Sequence, residues 1–393
     1  MTQPHPTTTT VRSGIATDSA FGAVVPPLYL STNFTFESYG TKRRYDYTRS
    51  GNPTRDLLAD AIAELEGGAG GVVTASGMAA LTLVTLLVKT GERIIAPHDC
   101  YGGTFRLLKA LEERGRLTVS FVDQGDDAAL SAAFLEPAAL VIVETPSNPL
   151  LRVVDIAAIS RKCQKHGVLL AVDNTFLSPV LQQPIHFGAD LVIHSTTKYL
   201  NGHSDVVGGA VVARTSELVE RLTWWANCLG LTGAPFDSFL TLRGLRTLDA
   251  RLRIHQENAA AVVRLLRDHP SVSWVYYPGL PEHAGHAIAK RQQLGFGAMV
   301  SFELAGGATE ARAFLEGLDY FSLAESLGGV ESLVAHPASM THAAMTPEAR
   351  QRAGISDTLL RLSIGIEHGD DLIADLRRGL DRAQHRNLRA ATR

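Results

Sequence analysis

The chain alternates short apolar runs with amphipathic stretches from Leu57 to Arg253. GGVVTAS, ERIIAPHD, TVSFVDQ, ALVIVETP, GVLLAVDN, DLVIHSTT and GGAVVAR are each too short for a helix and lack a polar face. They read as strands buried on both sides. Between them lie helical segments such as MAALTLVTLLVKT, FRLLKALEERG and VDIAAISRKCQKHG. Strands alternating with helices of this length predict an α/β unit, a mostly parallel seven-stranded sheet between helices.

Upstream, the first ten residues are polar and Thr-rich and predict a flexible arm. Residues 14–52 are rich in Gly, Pro and aromatics without helical periodicity, so they predict extended arm and loops. The pattern changes at Asn52-Pro53-Thr54, where Asn52 is placed to cap a helix, Pro53 suits its first position, and DLLADAIAELEGG supplies the helix and a glycine stop. Downstream, RLRIHQENAAAVVRLLRDHP predicts a long amphipathic helix. GAMVSFEL, YFSLAES and TLLRLSIGIE then read as strands, and the segments around AFLEGL and DLIADLRRGLDRAQ as helices. The organisation expected is an N-terminal arm (1–56), an α/β domain (57–253) and a smaller α+β domain (254–393).

Composition changes little in this picture. The 393 residues are 45% hydrophobic, and 37 basic against 40 acidic side chains give a net charge of -3 without any run of like charge. No nucleic-acid or membrane partner is expected from that balance. Cys100, Cys163 and Cys228 are widely spaced, with no CxxC, which fits neither a disulfide framework nor a zinc site; no metal is expected. The N-terminus lacks the apolar core of a secretory signal and no run reaches membrane-spanning length, so the expectation is cytoplasmic.

Chemistry gathers at the carboxyl ends of the strands, where open α/β sheets form their ligand crevice. Lys198 follows the strand DLVIHS, after Ser195-Thr196-Thr197. Asp173 ends GVLLAV. A surface lysine and a turn-capping aspartate are the bland readings. Together they suit a pyridine cofactor, with an amine to form a Schiff base and a carboxylate to keep the ring nitrogen protonated. Gly77 opens a helix after VVTAS, where unpaired N–H groups favour a phosphate. Ser195 and Thr197 add hydroxyls, and Tyr101 adds an aromatic ring.

SGM, CYGG, ETPSNP, DNTF, HSTTKYLNGHSD, PFDSFLTLRGLRTL and LAESLGGVESL, in this order over nearly the whole chain, resemble the Cys/Met-metabolism family of fold-type I enzymes dependent on pyridoxal 5'-phosphate (PLP). The resemblance implies that Lys198 carries the cofactor, Asp173 pairs with its ring nitrogen and Tyr101 stacks on the ring. Gly77, Met78, Ser195 and Thr197 would hold the phosphate. Tyr47 and Arg49 would reach it from a neighbouring subunit, implying active sites shared within a dimer and a homotetramer of two dimers. Arg361 would bind the substrate α-carboxylate, with Ser326 and Asn148 lining the same pocket.

The activity implied is γ-replacement on O-succinylhomoserine, or another O-acylhomoserine, by cysteine to give cystathionine. Arg106 resembles a ligand of the distal carboxylate, a surface arginine being the alternative, while Asp46 and Glu325 fall at the pocket mouth. APHDCYGG and FVDQGD are synthase-like. Ser50 is a departure, standing where the second of two consecutive arginines is expected, and it moves YTRSGNP towards the γ-lyases. A catalytically dead regulator is the remaining alternative, disfavoured because the lysine, aspartate, tyrosine and arginine are all retained. Other motifs carry less. Ser195-Thr196-Thr197-Lys198 has the spacing of a serine β-lactamase motif, but SDN and KTG are missing. His203-Ser204-Asp205 has triad residue types without a nucleophile elbow. Cys100 beside His98 reads as an incidental cysteine.

Overall fold

The architecture was analysed on a computed structural model, which describes residues 4–340, 350 and 353–391. Residues 1–3 of the expected arm lie outside these. The chain divides into two compact units that interleave in sequence. The first comprises residues up to 97, 106–143 and 156–249, and the second 98–105, 144–155 and 250 onward.

In the first unit, the seven apolar runs form β1 (Gly70–Thr74), β2 (Arg93–Pro97), β3 (Thr118–Val122), β4 (Leu140–Glu144), β5 (Leu169–Asp173), β6 (Leu191–His194) and β7 (Gly209–Ala213). Their order is β1-β7-β6-β5-β4-β2-β3. Parallel pairing joins β2 to β3 and β4 and β5 to β6, whereas β7 lies antiparallel to both β6 and β1. The fold is therefore the expected α/β layer structure, with one antiparallel strand. Leu83, Ile94, Leu140, Ala171, Leu191 and Val211 belong to one buried cluster. Ile95, Val141, Leu170, Val192 and Val212, on the other face of the same strands, are fully buried too, which explains why these central runs are almost wholly apolar, whereas β3 at the sheet edge is only partly buried.

The N-terminal ten residues differ from expectation. Pro6–Arg12 form a helix, α1, whose N-terminus is capped by His5 and whose Thr10 is fully buried. Pro6 is preorganised for a first turn, and burial against the rest of the unit overrides the poor propensity of threonine. Residues 14–52 contain no regular helix, and the arm is held by isolated bridges such as Asn33 to Tyr47. Helix α2 (Pro53–Glu66) begins as its sequence predicts: Asn52 Oδ1 accepts from the N–H groups of Thr54 and Arg55 at 3.0 and 3.3 Å, and Gly67 ends the helix in the left-handed region.

The second unit contains a five-stranded sheet of order β10-β11-β12-β9-β8. Its strands are β8 (Val272–Tyr276), β9 (Met299–Leu304), β10 (Ser322–Leu323), β11 (Leu333–Ala335) and β12 (Leu359–Ser363). Helices Leu248–Asp268, Ala308–Leu315 and Gly369–Ala391 contribute Leu266, Phe314 and Leu376 to a core shared with Val300, Phe302 and Leu360. Strands β9 and β12 match the longer runs read from sequence. Of YFSLAES only two residues are strand, β8 forms from VSWVY, a run not expected as a strand, and β11 is too short for any run to mark it. No helix among the described residues is long and apolar enough to cross a membrane.

Candidate active site

Two strand ends of the first unit carry the basic and acidic residues expected to meet a cofactor. Strand β5 ends at Asp173, and β6 runs through His194 into Ser195 and the turn bearing Lys198, whose N–H donates to the Ser195 carbonyl at 3.2 Å. Thr175 joins the two ends. Its N–H donates to Asp173 Oδ1 at 3.0 Å, and its Oγ1 accepts the N–H of Ser195 at 2.9 Å. Burial raises the pKa of Asp173, opposed by hydrogen bonds from Thr175 and by the charge of His194. A poorly hydrated carboxylate of this kind favours a cationic partner, as a protonated ring nitrogen would provide.

The site expected to hold an anion lies at the start of helix α3 (Gly77–Thr85). Ser76 Oγ takes the N–H of Ala79 at 3.0 Å, and the Ser76 carbonyl accepts from Ala80. The N–H groups of Gly77 and Met78 have no acceptor one turn earlier, so they and the helix dipole can hold a phosphate. The glycine is required by packing: a Cβ at Gly77 would stand 2.8 Å from Ser195 Cβ. That contact brings the α3 N-terminus directly against the Lys198 turn. Thr197 Oγ1 is fixed in the same turn, accepting from Gly208 N–H at 3.0 Å. These donors and Asp173 fit a molecule with a phosphate at one end and a basic ring nitrogen at the other, as PLP has.

On the arm, Arg49 lies over the ring of Tyr47, 5.5 Å from its centroid, and donates through Nε to Asn227 Oδ1 at 3.1 Å. Arg55 holds this segment through the carbonyls of Thr48 and Arg49, at 2.6 and 3.3 Å. Both Tyr47 and Arg49 are exposed. Asp46 accepts from Ser50 Oγ and from Tyr47 N–H, both at 2.7 Å, and these bonds lower its pKa. Arg106 is exposed on helix α4 (Gly102–Glu113).

The second unit holds Arg361, the residue expected to bind the substrate carboxylate. Arg361, on β12 and only 3% exposed, donates from Nη1 to Asn148 Oδ1 at 2.8 Å and from Nη2 to the Ser326 carbonyl at 2.9 Å. Ser326 has a φ of 97°, a left-handed conformation that costs a non-glycine residue and is concentrated at functional sites. Its neighbour Glu325 is exposed. Glu144, which ends β4, takes the N–H of Tyr101 on Oε2 at 2.9 Å and that of Asn148 on Oε1 at 3.0 Å. One carboxylate thus sets the backbone of two expected site residues.

Sequence reading quoted the motifs containing Thr175, Glu144, Asn174 and His194 but gave these four no role. The available signal was position, since each lies at the end of an apolar strand. The weaker motifs resolve against catalysis. His203 Nδ1 lies 2.8 Å from the Asn201 carbonyl, and Asp205 accepts from Asn201 Nδ2, so both are engaged by the same asparagine. Cys100 is buried and its thiol is pushed well up by desolvation, with the nearby charges of Glu144 and Asp99 adding to it, so it is a poor nucleophile. Among the described residues there is no cluster suited to a metal.

Residues 7–381 match the family model of the Cys/Met metabolism PLP-dependent enzymes. The chain is 58% identical over 373 residues to the cystathionine gamma-synthase of Escherichia coli K12, covering 95% of this chain and 97% of that one. It is 47% identical to the cystathionine gamma-lyase of Dictyostelium discoideum, over 97% of this chain and all of that one. Among solved structures it is similar to cystathionine gamma synthase from Xanthomonas oryzae pv. oryzae in complex with aminoacrylate and cysteine. The TM-score is 0.97 at 62% identity, over 98% of this chain and all of the other. Lysine, aspartate, anion site and arginine thus occur in a chain that belongs to the Cys/Met metabolism family of PLP-dependent enzymes.

Proposed function

We propose that this enzyme makes cystathionine by γ-replacement, exchanging the acyl group of O-succinyl-L-homoserine or another O-acylhomoserine for the sulfur of L-cysteine. The observation that carries this reading is the likeness, along nearly the whole chain, to two bacterial cystathionine γ-synthases. PLP, when bound, supplies an electron sink for a proton lost next to the amino group.

The residues then divide the work. Lys198 would hold the cofactor covalently and, as a free amine, would be the base at Cα that also assists at Cβ. Asp173 keeps the ring nitrogen protonated. Tyr101 covers the ring and serves as a second acid or base, a role that typically contributes ~10²–10⁴-fold. Gly77, Met78, Ser195 and Thr197 take the phosphate, with Tyr47 and Arg49 contributed by the neighbouring subunit of a homotetramer built from two dimers. Arg361, braced by Asn148 and Ser326, takes the α-carboxylate, because a guanidinium fork matches a carboxylate bidentately. Arg106 takes the distal carboxylate, and Asp46 and Glu325 receive the distal amino group. A cytoplasmic site suits these metabolites.

Ser50 favours a second reading. A hydroxyl that binds Asp46 stands where a second arginine would meet a succinyl carboxylate, which leaves room for γ-elimination of cystathionine. Incubation with O-succinylhomoserine plus cysteine, and with cystathionine alone, distinguishes the two. Faster formation of cystathionine supports the synthase; faster release of cysteine, 2-oxobutanoate and ammonia reverses the order. In parallel, Lys198→Ala is expected to fold, to lack the absorbance of lysine-linked cofactor and to have no turnover. Near-normal turnover in that variant refutes the assignment of Lys198.

A further inference from the structure

Next to the two strand ends lies a buried polar cluster with no part in the chemistry described above. Glu66, the last residue of α2, is fully buried, as is Asn174, and His194 and Gln182 are each 1% exposed. Glu66 Oε1 lies 2.6 Å from His194 Nε2 and accepts from Asn174 Nδ2 at 2.8 Å. With Oε1 as acceptor of both, the imidazole carries its proton on Nε2. Asn174 and Gln182 are further cross-linked, Nδ2 to the Gln182 carbonyl at 2.7 Å and Gln182 Nε2 to Asn174 Oδ1 at 3.1 Å.

The cluster is poorly designed for stability. Glu66 Oε2 and His194 Nδ1 are buried with no hydrogen-bond partner, and a buried acid–base pair is commonly matched or exceeded in stability by apolar residues of the same volume. Its placement is more telling. Asn174 directly follows Asp173, and His194 directly precedes Ser195, so one carboxylate oxygen ties together the neighbours of both. Thr175 separately ties Asp173 to Ser195 directly. The Asp173 end and the Lys198 turn are therefore linked twice, through Thr175 and through Glu66.

We infer that Glu66, acting through Asn174 and His194, is a positioning residue that sets the spacing between Asp173 and the Lys198 turn. The inference rests on the assignment of those two residues to the cofactor. Loosening the Glu66 link shifts the charge of Asp173 relative to whatever Lys198 carries, and displacements near 1 Å are enough to cost about 10²-fold in rate.

The test is a double variant of the cofactor-loaded enzyme, Glu66→Leu with His194→Leu, which replaces the buried pair by apolar volume. Its melting temperature should be retained, while kcat falls roughly 10²-fold and KM changes less than about threefold. The pH midpoint of the lysine-linked cofactor absorbance should move, because the distance from Asp173 to the ring changes. Glu66→Gln, which retains an oxygen acceptor for both hydrogen bonds, should recover kcat to within about threefold of the unmodified enzyme. If the double variant does not fold, Asn174→Ser, which removes the strut beside Asp173 together with the two hydrogen bonds to Gln182, is read in its place. A folded variant with kcat within about twofold and an unmoved midpoint overturns the proposal. Lys198→Ala separates the two ideas: if it keeps the lysine-linked absorbance, the cofactor assignment has failed; if it loses the band while the Glu66 variants behave as unmodified enzyme, only the Glu66 link has.

Discussion

The guanidinium of Arg361 and the side-chain amide of Asn148, 213 residues apart in sequence, meet at 2.8 Å inside the second unit. The amide is itself placed by Glu144, which takes the Asn148 N–H. An arginine braced on one nitrogen by an amide oxygen and on another by the Ser326 carbonyl keeps a fixed plane, and a fixed plane is what bidentate capture of a carboxylate needs.

Arg361→Lys therefore should not behave as a conservative change. An ammonium cannot make both braces and still present two parallel donors. kcat/KM for the amino-acid substrate is expected to fall roughly 10²-fold, about 3 kcal/mol of lost transition-state binding, most of it in KM. Steady-state kinetics against the acylhomoserine check this, and a loss below about threefold would remove Arg361 from the carboxylate site.

At Gly77 the prediction concerns space. A Cβ placed 2.8 Å from Ser195 Cβ and 3.0 Å from its Oγ forces α3 away from the Lys198 turn. Gly77→Ala is expected to destabilise the protein by about 1–3 kcal/mol and to weaken cofactor binding as the Gly77 and Met78 N–H groups shift. Thermal melts with and without added cofactor separate the two effects.

Asp173 gives a pH dependence with a definite sign. Burial raises its folded pKa above the unfolded value, so the folded state binds the proton more tightly. The cofactor-free protein then has the benefit of the protonated form at low pH and loses it as pH rises through the folded pKa. Asp173→Asn should stabilise the cofactor-free protein at neutral pH, relative to its effect in acid, and abolish turnover when cofactor is supplied. Melting temperatures of the cofactor-free forms across the acid range measure the first effect, and an Asn variant equally affected at all pH values would contradict it.

His255 works in the opposite direction. It is fully buried beneath the Ile364 carbonyl, 2.6 Å from its Nδ1, and burial lowers its pKa from 6.5 to about 4. The unfolded chain takes up the proton first, so stability is complete above pH 6.5 and falls between there and pH 4, by at most roughly 3 kcal/mol. Denaturant titrations of the unmodified protein and of His255→Gln should differ in slope within that window and run parallel above it.

Much of the candidate site was legible because the residues proposed for it lie at strand ends, and strand ends are marked by where apolar runs stop. Asp173, Lys198 and Gly77 all lie at such stops, and the structure brings all three strand ends into one sheet. Capping is equally local, so Asn52 and Gly67 bound α2 as their residue types dictate. The helix at Pro6–Arg12 was illegible for the converse reason: four threonines have weak helix propensity, and only burial of Thr10 compensates.

Seven strand runs, the helices between them and the order of the chemical motifs follow from the amino-acid order alone, since side-chain periodicity records which faces of each element meet water; the partial exposure of β3 departs from the burial expected of all seven. Other features were decided only on folding. These include the antiparallel insertion of β7 between β1 and β6, the membership of 98–105 and 144–155 in the second unit, and the pairing of Arg361 with Asn148. The contact of Glu66 with His194, 128 residues away, is of the same kind. Periodicity reports the exposure of a position, not the identity of its partner. Partners at that range are selected by the packing of the whole unit, where a buried polar group must find whatever acceptor the fold has carried to it.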